Sequence, residues 1–225
     1  MKNGLALFLG VFAVLGLSWA GLLLTAHHQL GGLNQFKDPT DDSLHPQPLS
    51  GLADNGRHVY QDLGCVACHT QQVRREGFGA DIDRKWGQRG SYARDYIREY
   101  TVIIGQSRLG PDLRNVGARL GDTASPDEYA DWFYKMLYAP QSMAPGTNMP
   151  AYASLFDVHP VRGRQPSDHA LKLAGKAAPA AGTEVVPTAR ARALVAYLQS
   201  LKDSYDYPTE RNLNATAAAP KEEGH

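Results

Sequence analysis

The sequence predicts a mainly α protein, with one N-terminal transmembrane helix ahead of a single small helical domain. Two observations carry this. The segment from Gly4 to Ala26 holds no charged residue. Downstream, apolar residues recur at helical spacing, and no alternating strand pattern of any length is present. A third observation concentrates the chemistry: the two cysteines, Cys65 and Cys68, sit in "LGCVACHTQQ" with His69 directly after the second.

Length and charge bound the rest. A chain of 225 residues has room for one ordinary domain with extra segments and a real core. Lysine plus arginine, 23, balance aspartate plus glutamate, 23, so neither a nucleic-acid footprint nor an acidic tail is indicated.

Residues 1–28 read as a membrane anchor. At about 1.5 Å per residue the uncharged run crosses a hydrocarbon core roughly 30 Å thick. A cleavable signal peptide is the competing reading. Against it, the apolar run exceeds the usual length, and "LTAHHQL" is a poor small-residue cleavage site. Lys2 flanks one side and His27, His28 and Lys37 the other, a weak bias towards a cytoplasmic N-terminus. Ala6, Gly10, Ala13, Gly16 and Ala20 share one helical face, a surface on which a partner membrane helix can approach closely.

Residues 29–52, rich in Gly, Pro and Asp, read as a linker. The domain itself spans 53–205. Its first helix is predicted over Asp54–Leu63 and is stopped by Gly64. A second starts at Pro126, capped by Ser125, and ends near Tyr138. The clearest runs from Thr188 to Lys202, where Leu194, Tyr197, Leu198 and Leu201 fall on one face. Gly56 and Tyr60 on the first helix and Tyr197 on the last would let these two cross closely. Residues 157–187, heavy in Pro, Ala and Gly, read as a loose surface insertion, and 206–225 as a disordered tail.

Cys-x-x-Cys-His is the attachment signal for a covalent c-type haem. Two thiols at this spacing reach the two vinyl groups on one edge of a porphyrin, and the next residue falls beneath the ring centre, where an imidazole meets the iron. A redox dithiol would sit in a thioredoxin-like βαβ pattern, absent here. A zinc site would need four ligands, and there is no second cysteine pair. The fold then expected is a class I cytochrome c-like haem domain in the periplasm, because covalent attachment takes place outside the cytoplasm.

A methionine opposite the histidine suits electron transfer, whereas an open position suits ligand or peroxide chemistry. Met136 lies within a helix and reads as core. Met143 and Met149 share the loop "QSMAPGTNMPAY", and spacing does not separate them. His58, His159 and His169 read as solvated or structural. In "RLGPDLRNVGAR", Pro111 offers a rigid carbonyl for the other nitrogen of His69. Arg108, Arg74, Arg119 and Trp86 are available donors for haem propionates. The acidic "GADID" stretch around Asp81 and Asp83 reads as a solvated turn.

The segments "CVACHTQQVR", "WGQRGSYARDY", "SRLGPDLRNVGAR" and "NMPAYASLF" together resemble the mono-haem cytochrome c subunit, subunit II, of cbb₃-type haem-copper oxidases. The likeness spans roughly residues 55–156, with the anchor and last helix. The Met-Pro-x-Tyr match selects Met149 as iron ligand, and the Gly-Pro match supports Pro111. What the resemblance implies is an electron relay, passing electrons from another c-type cytochrome subunit or a soluble cytochrome c to a membrane catalytic subunit that reduces oxygen and pumps protons. The chain lacks the clustered histidines and helix set for oxygen chemistry, so it would be a component of an enzyme. Competing functions are the anchored cytochrome of another respiratory complex such as nitric oxide reductase, a free-standing anchored shuttle, and a haem enzyme or gas sensor.

Overall fold

The computed structural model describes residues 3–119, 125–163, 165–203 and 205–210. The protein is mainly helical and divides into two compact units, one comprising Met1–Pro46 with Tyr92–Tyr100, the other Gln47–Ser91 with the chain from Thr101 onward.

In the first unit, α1 (Gly4–Leu30) is long and apolar enough to cross a membrane. Its leucines and phenylalanines, Leu5, Phe8, Phe12 and Leu15 among them, are exposed on all sides, which suits a helix surrounded by lipid or by a partner helix. Residues Ala20–Leu24 form a π-helical turn inside it. The helix continues two residues past the expected end of the anchor. The stretch read as a linker contains a small antiparallel ladder, β1 (Phe36–Lys37) against β2 (Leu44–His45). Asp38 and Asp41 close the turn between them by accepting from the Thr40 and Ser43 amides. Tyr92 and Asp95 cap a short 3₁₀ turn at Ala93–Tyr96.

The second unit is built on two crossing helices, α2 (Gly51–Asp62) and α5 (Ala189–Ser200). The sequence placed the start of α2 at Asp54. It begins three residues earlier because Ser50 caps it, accepting from the Ala53 amide at 3.2 Å. Thr188 caps α5 in the same way. At the crossing Gly56 lies against the Ala193 backbone, and a Cβ there would come within 1.8 Å of the Ala193 carbonyl oxygen. Only glycine permits that approach. The rings of Tyr60 and Tyr197 meet edge to face at 5.5 Å beside it.

Helix α3 (Pro126–Tyr138) carries the predicted Ser125 cap, completed into a capping box by Glu128. It buries Tyr129, Phe133 and Leu137 at i, i+4 and i+8. A short helix, α4 (Pro140–Met143), follows.

Residues 157–187 differ from the loose insertion read in the sequence. They open and close on an antiparallel pair, β3 (Phe156–Pro160) and β4 (Thr183–Pro187), in register from Phe156 opposite Pro187 to Pro160 opposite Thr183. Val185 is fully buried, and Leu171 donates its amide to the Val185 carbonyl at 2.9 Å. Glu184, also buried, accepts from the Ser167 amide at 2.6 Å and faces His159. With β4 covered on both sides there is no alternation for the sequence to display. Of the segment expected to be disordered, residues 206–210 are ordered, with Tyr207 buried and Arg89 donating to the Tyr205 carbonyl. Residues 211–225 lie outside the described residues.

Candidate functional site

Helix α2 hands the chain directly to the cysteine motif. Gly64 takes the left-handed conformation that ends a helix, with φ +73°. One 3₁₀ turn, Cys65–Ala67, follows, and the amides of both Cys68 and His69 donate to the Cys65 carbonyl. The two thiols therefore flank a single tight turn, and both are free. Cys65 is buried, and that burial pushes its thiol up to about 11 despite a hydrogen bond with the Tyr152 phenol.

His69 is held from the opposite side by the Gly110–Pro111 loop. Its Nδ1 lies 2.8 Å from the Pro111 carbonyl oxygen. A carbonyl only accepts, so Nδ1 carries the proton and Nε2 keeps its lone pair. Burial lowers the His69 pKa, partly offset by the Pro111 carbonyl, which favours the neutral ligating form. The loop is pinned in register: Gly110 donates to Cys68 at 2.9 Å and Leu113 to Thr70 at 2.7 Å. Gly110 presses against the imidazole, where a Cβ would meet Cε1 at 2.2 Å.

The methionine loop reaches the same region. Met149 packs half-buried against the core. Its carbonyl accepts from Gln141 at 3.0 Å, and its amide donates to Thr147 at 3.2 Å. Three residues on, Tyr152 anchors its amide on the Leu137 carbonyl at 2.8 Å and meets Cys65 through its phenol. Burial pushes that phenol up to about 12. Met143 ends α4 and is half-buried, outside the residues packed on this core.

The arginines divide differently from the expectation. Arg108 is committed to protein acceptors: Asp81 at 2.5 Å, the Gln72 carbonyl at 2.6 Å, and Asp112 at 3.8 Å. Arg74 also binds Asp81, at 2.8 Å. Trp86 lies beneath Arg84 and Arg108, with ring centre to guanidinium distances of 5.0 and 6.0 Å. Asp81 is no solvated turn residue, since it is wholly covered. Burial alone would raise its pKa, but Arg74 and Arg108 outweigh that and hold it at about 2. Arg119 donates through Nη2 to the Asp112 carbonyl, and its buried Nε has no partner among the described residues. Sequence reading gave no role to Tyr152, Thr70 and Asp112: Thr70 pairs with Asp112 across 42 residues, and the Tyr152 phenol meets the distant Cys65.

The residues fit a haem by their donor chemistry. Two free thiols flank one turn, and a neutral imidazole has one nitrogen fixed and the other without a partner among the described residues. A glycine lies flush on the ring, where a larger side chain would displace it. These are the features of the c-type cytochrome class. The model of the family "Cytochrome C oxidase, mono-heme subunit/FixO" matches residues 28–169, and the chain belongs to that family. It is the family of mono-haem subunits of cbb₃-type oxidases, and membership implies a haem c cofactor and association with a haem-copper catalytic subunit. No curated protein matches the chain.

Proposed function

We propose that this protein is the electron-relay subunit of a cbb₃-type oxidase, anchored by α1 with its second unit, a class I cytochrome c-like domain, in the periplasm. One haem c, bound through thioethers to Cys65 and Cys68, supplies an iron that exchanges single electrons between the ferric and ferrous states. The observation that carries this is the His69–Pro111 bond beside the paired thiols, in a chain of this family.

Each residue then has a task. His69 offers Nε2 to the metal, and the Pro111 carbonyl fixes its tautomer and raises its basicity. Met149 would supply a thioether to the same metal, a role supported by its place on the core and by the Tyr152 link to Cys65. With His69 and Met149 both holding it, the metal would have no open position for oxygen and would serve electron transfer. Arg119, with its uncommitted Nε, is better placed to meet a propionate than Arg108, whose donors already face carboxylates. Arg108, with Trp86 under its guanidinium, steadies the loop that presents Pro111 through Asp81, the Gln72 carbonyl and Asp112.

Extraction in mild detergent tests the assignment. The expected result is co-purification with a many-helix subunit carrying b-type haem, and no carbon monoxide binding at this haem in the native ferrous state. Recovery of the chain alone and fully loaded would favour a free shuttle, and recovery with a different respiratory enzyme would move it to that complex. Ready carbon monoxide binding would overturn electron relay itself.

A further inference from the structure

Directly beside the His69–Pro111 bond lies a second bond between the same two segments. Thr70, the residue after His69, donates its hydroxyl to Asp112, the residue after Pro111, at 2.6 Å. Both pairs are separated by 42 residues in sequence, so they are neighbouring rungs of one register. Asp112 is wholly buried. One carboxylate oxygen accepts from Thr70 and from the Gln72 amide at 2.8 Å, and the other accepts from the Arg114 amide at 2.9 Å. Arg108 stands 3.8 Å away, and the Asp112 backbone carbonyl accepts from Arg119. One side chain thus gathers both sides of the imidazole's attachment.

Taking His69 as a haem-iron ligand, as proposed above, we propose that Asp112 is the positioning residue that sets the orientation and basicity of that imidazole by locking the Pro111 carbonyl opposite it. The carboxylate acts in two ways. Its hydrogen bonds hold residues 70–72 against residues 111–114, so the Nδ1–H to Pro111 bond stays short and the ring cannot swing. Its buried negative charge favours the ferric form of a metal bound to His69. Loss of either effect makes the imidazole a weaker donor and favours the ferrous form.

Two substitutions separate the effects. Asp112→Asn removes the charge and turns one acceptor into a donor facing the Arg114 amide. Thr70→Val keeps the charge and shape but removes one rung. In the purified native complex, optical redox titration and ferric low-spin EPR report on the haem, and a pyridine haemochrome spectrum of the parent protein checks that thioether haem is present. Asp112→Asn is expected to raise the ferrous-to-ferric ratio at fixed poise about tenfold, which corresponds to 59 mV for one electron. Thr70→Val is expected to shift it in the same direction by less, and both should move the EPR g-values. A merely structural Asp112 would lower the melting temperature and leave potential and g-values unchanged, and that result in both variants overturns the proposal. If Asp112→Asn does not accumulate with haem, Thr70→Val decides alone: a shift supports the proposal and parental values sink it. Absence of thioether haem in the parent would instead bring down the functional assignment on which it rests.

Discussion

Replacing Gly56 with alanine tests the helix crossing that closes the domain behind the cysteine motif. The added Cβ would lie 1.8 Å from the Ala193 carbonyl oxygen, 2.4 Å from its carbon and 2.8 Å from the Tyr197 Cβ. These are mostly backbone atoms that no rotamer change can move, so α2 and α5 must part by roughly 1.5 Å to restore ordinary contact. That separation also opens the Tyr60–Tyr197 contact, and gaps of ~0.5–1 Å already forfeit a quarter to a half of the dispersion energy. Alanine returns about 1 kcal/mol in helix propensity, whereas overpacking of this kind costs about 1–3 kcal/mol and more where backbone is struck. We expect a net loss of about 2 kcal/mol, or ~4–8 °C in melting temperature for a domain of this size. Thermal unfolding of the full chain in detergent, followed by far-ultraviolet circular dichroism, measures it. Gly51→Ala, at the open start of the same helix with nothing within 4 Å, is the control and should melt within about 2 °C of the parent. A Gly56→Ala protein melting at or above the parent would refute the close crossing.

Met149→Ala is expected to abolish the sulfur-to-iron charge-transfer band and to lower the haem potential, while Met143→Ala leaves both intact; the reverse pattern transfers the ligand role to Met143. Asp81→Asn should lower stability at pH 7 by about 1–2 kcal/mol, allowing for solvent screening at the half-open Arg74. Because Asp81 titrates at about 2 in the fold, below its ordinary 3.8, its contribution is complete above pH ~4 and is lost as pH falls towards 2. Denaturant unfolding across that range should show parent and variant converging in acid, and an unchanged gap at pH 2 would contradict the ion-pair account.

What was legible in the sequence was local. Cys65, Cys68 and His69 form by adjacency the pattern from which the haem c proposal starts, Ser125 and Glu128 announce a helix start, and Leu194, Tyr197 and Leu198 place α5 by their spacing. Pro111 could be chosen because a haem-ligating histidine needs a carbonyl partner, and the Gly-Pro pair offers a rigid one. What stayed hidden depends on partners far along the chain. Asp81 looked solvated because nothing nearby shows that Arg108, 27 residues on, would cover it. Arg108 looked available for the same reason. The β3–β4 pair escaped because two short segments flanking a Pro- and Ala-rich stretch carry no alternating pattern, and their pairing is settled by burial of Val185 and Leu171. The start of α2 was missed because Ser50 sits behind two prolines in a stretch that reads as linker.

The most direct test of the central claim is the pigment itself. Full-length protein from a host competent for haem c maturation, run on a denaturing gel and assayed as its pyridine haemochrome, should hold one haem per chain that acidified solvent does not extract. In the Cys65→Ala, Cys68→Ala protein the same treatment should strip it. Parent protein whose haem washes out, or a double variant that keeps its haem through denaturation, would contradict a thioether-linked haem at this site.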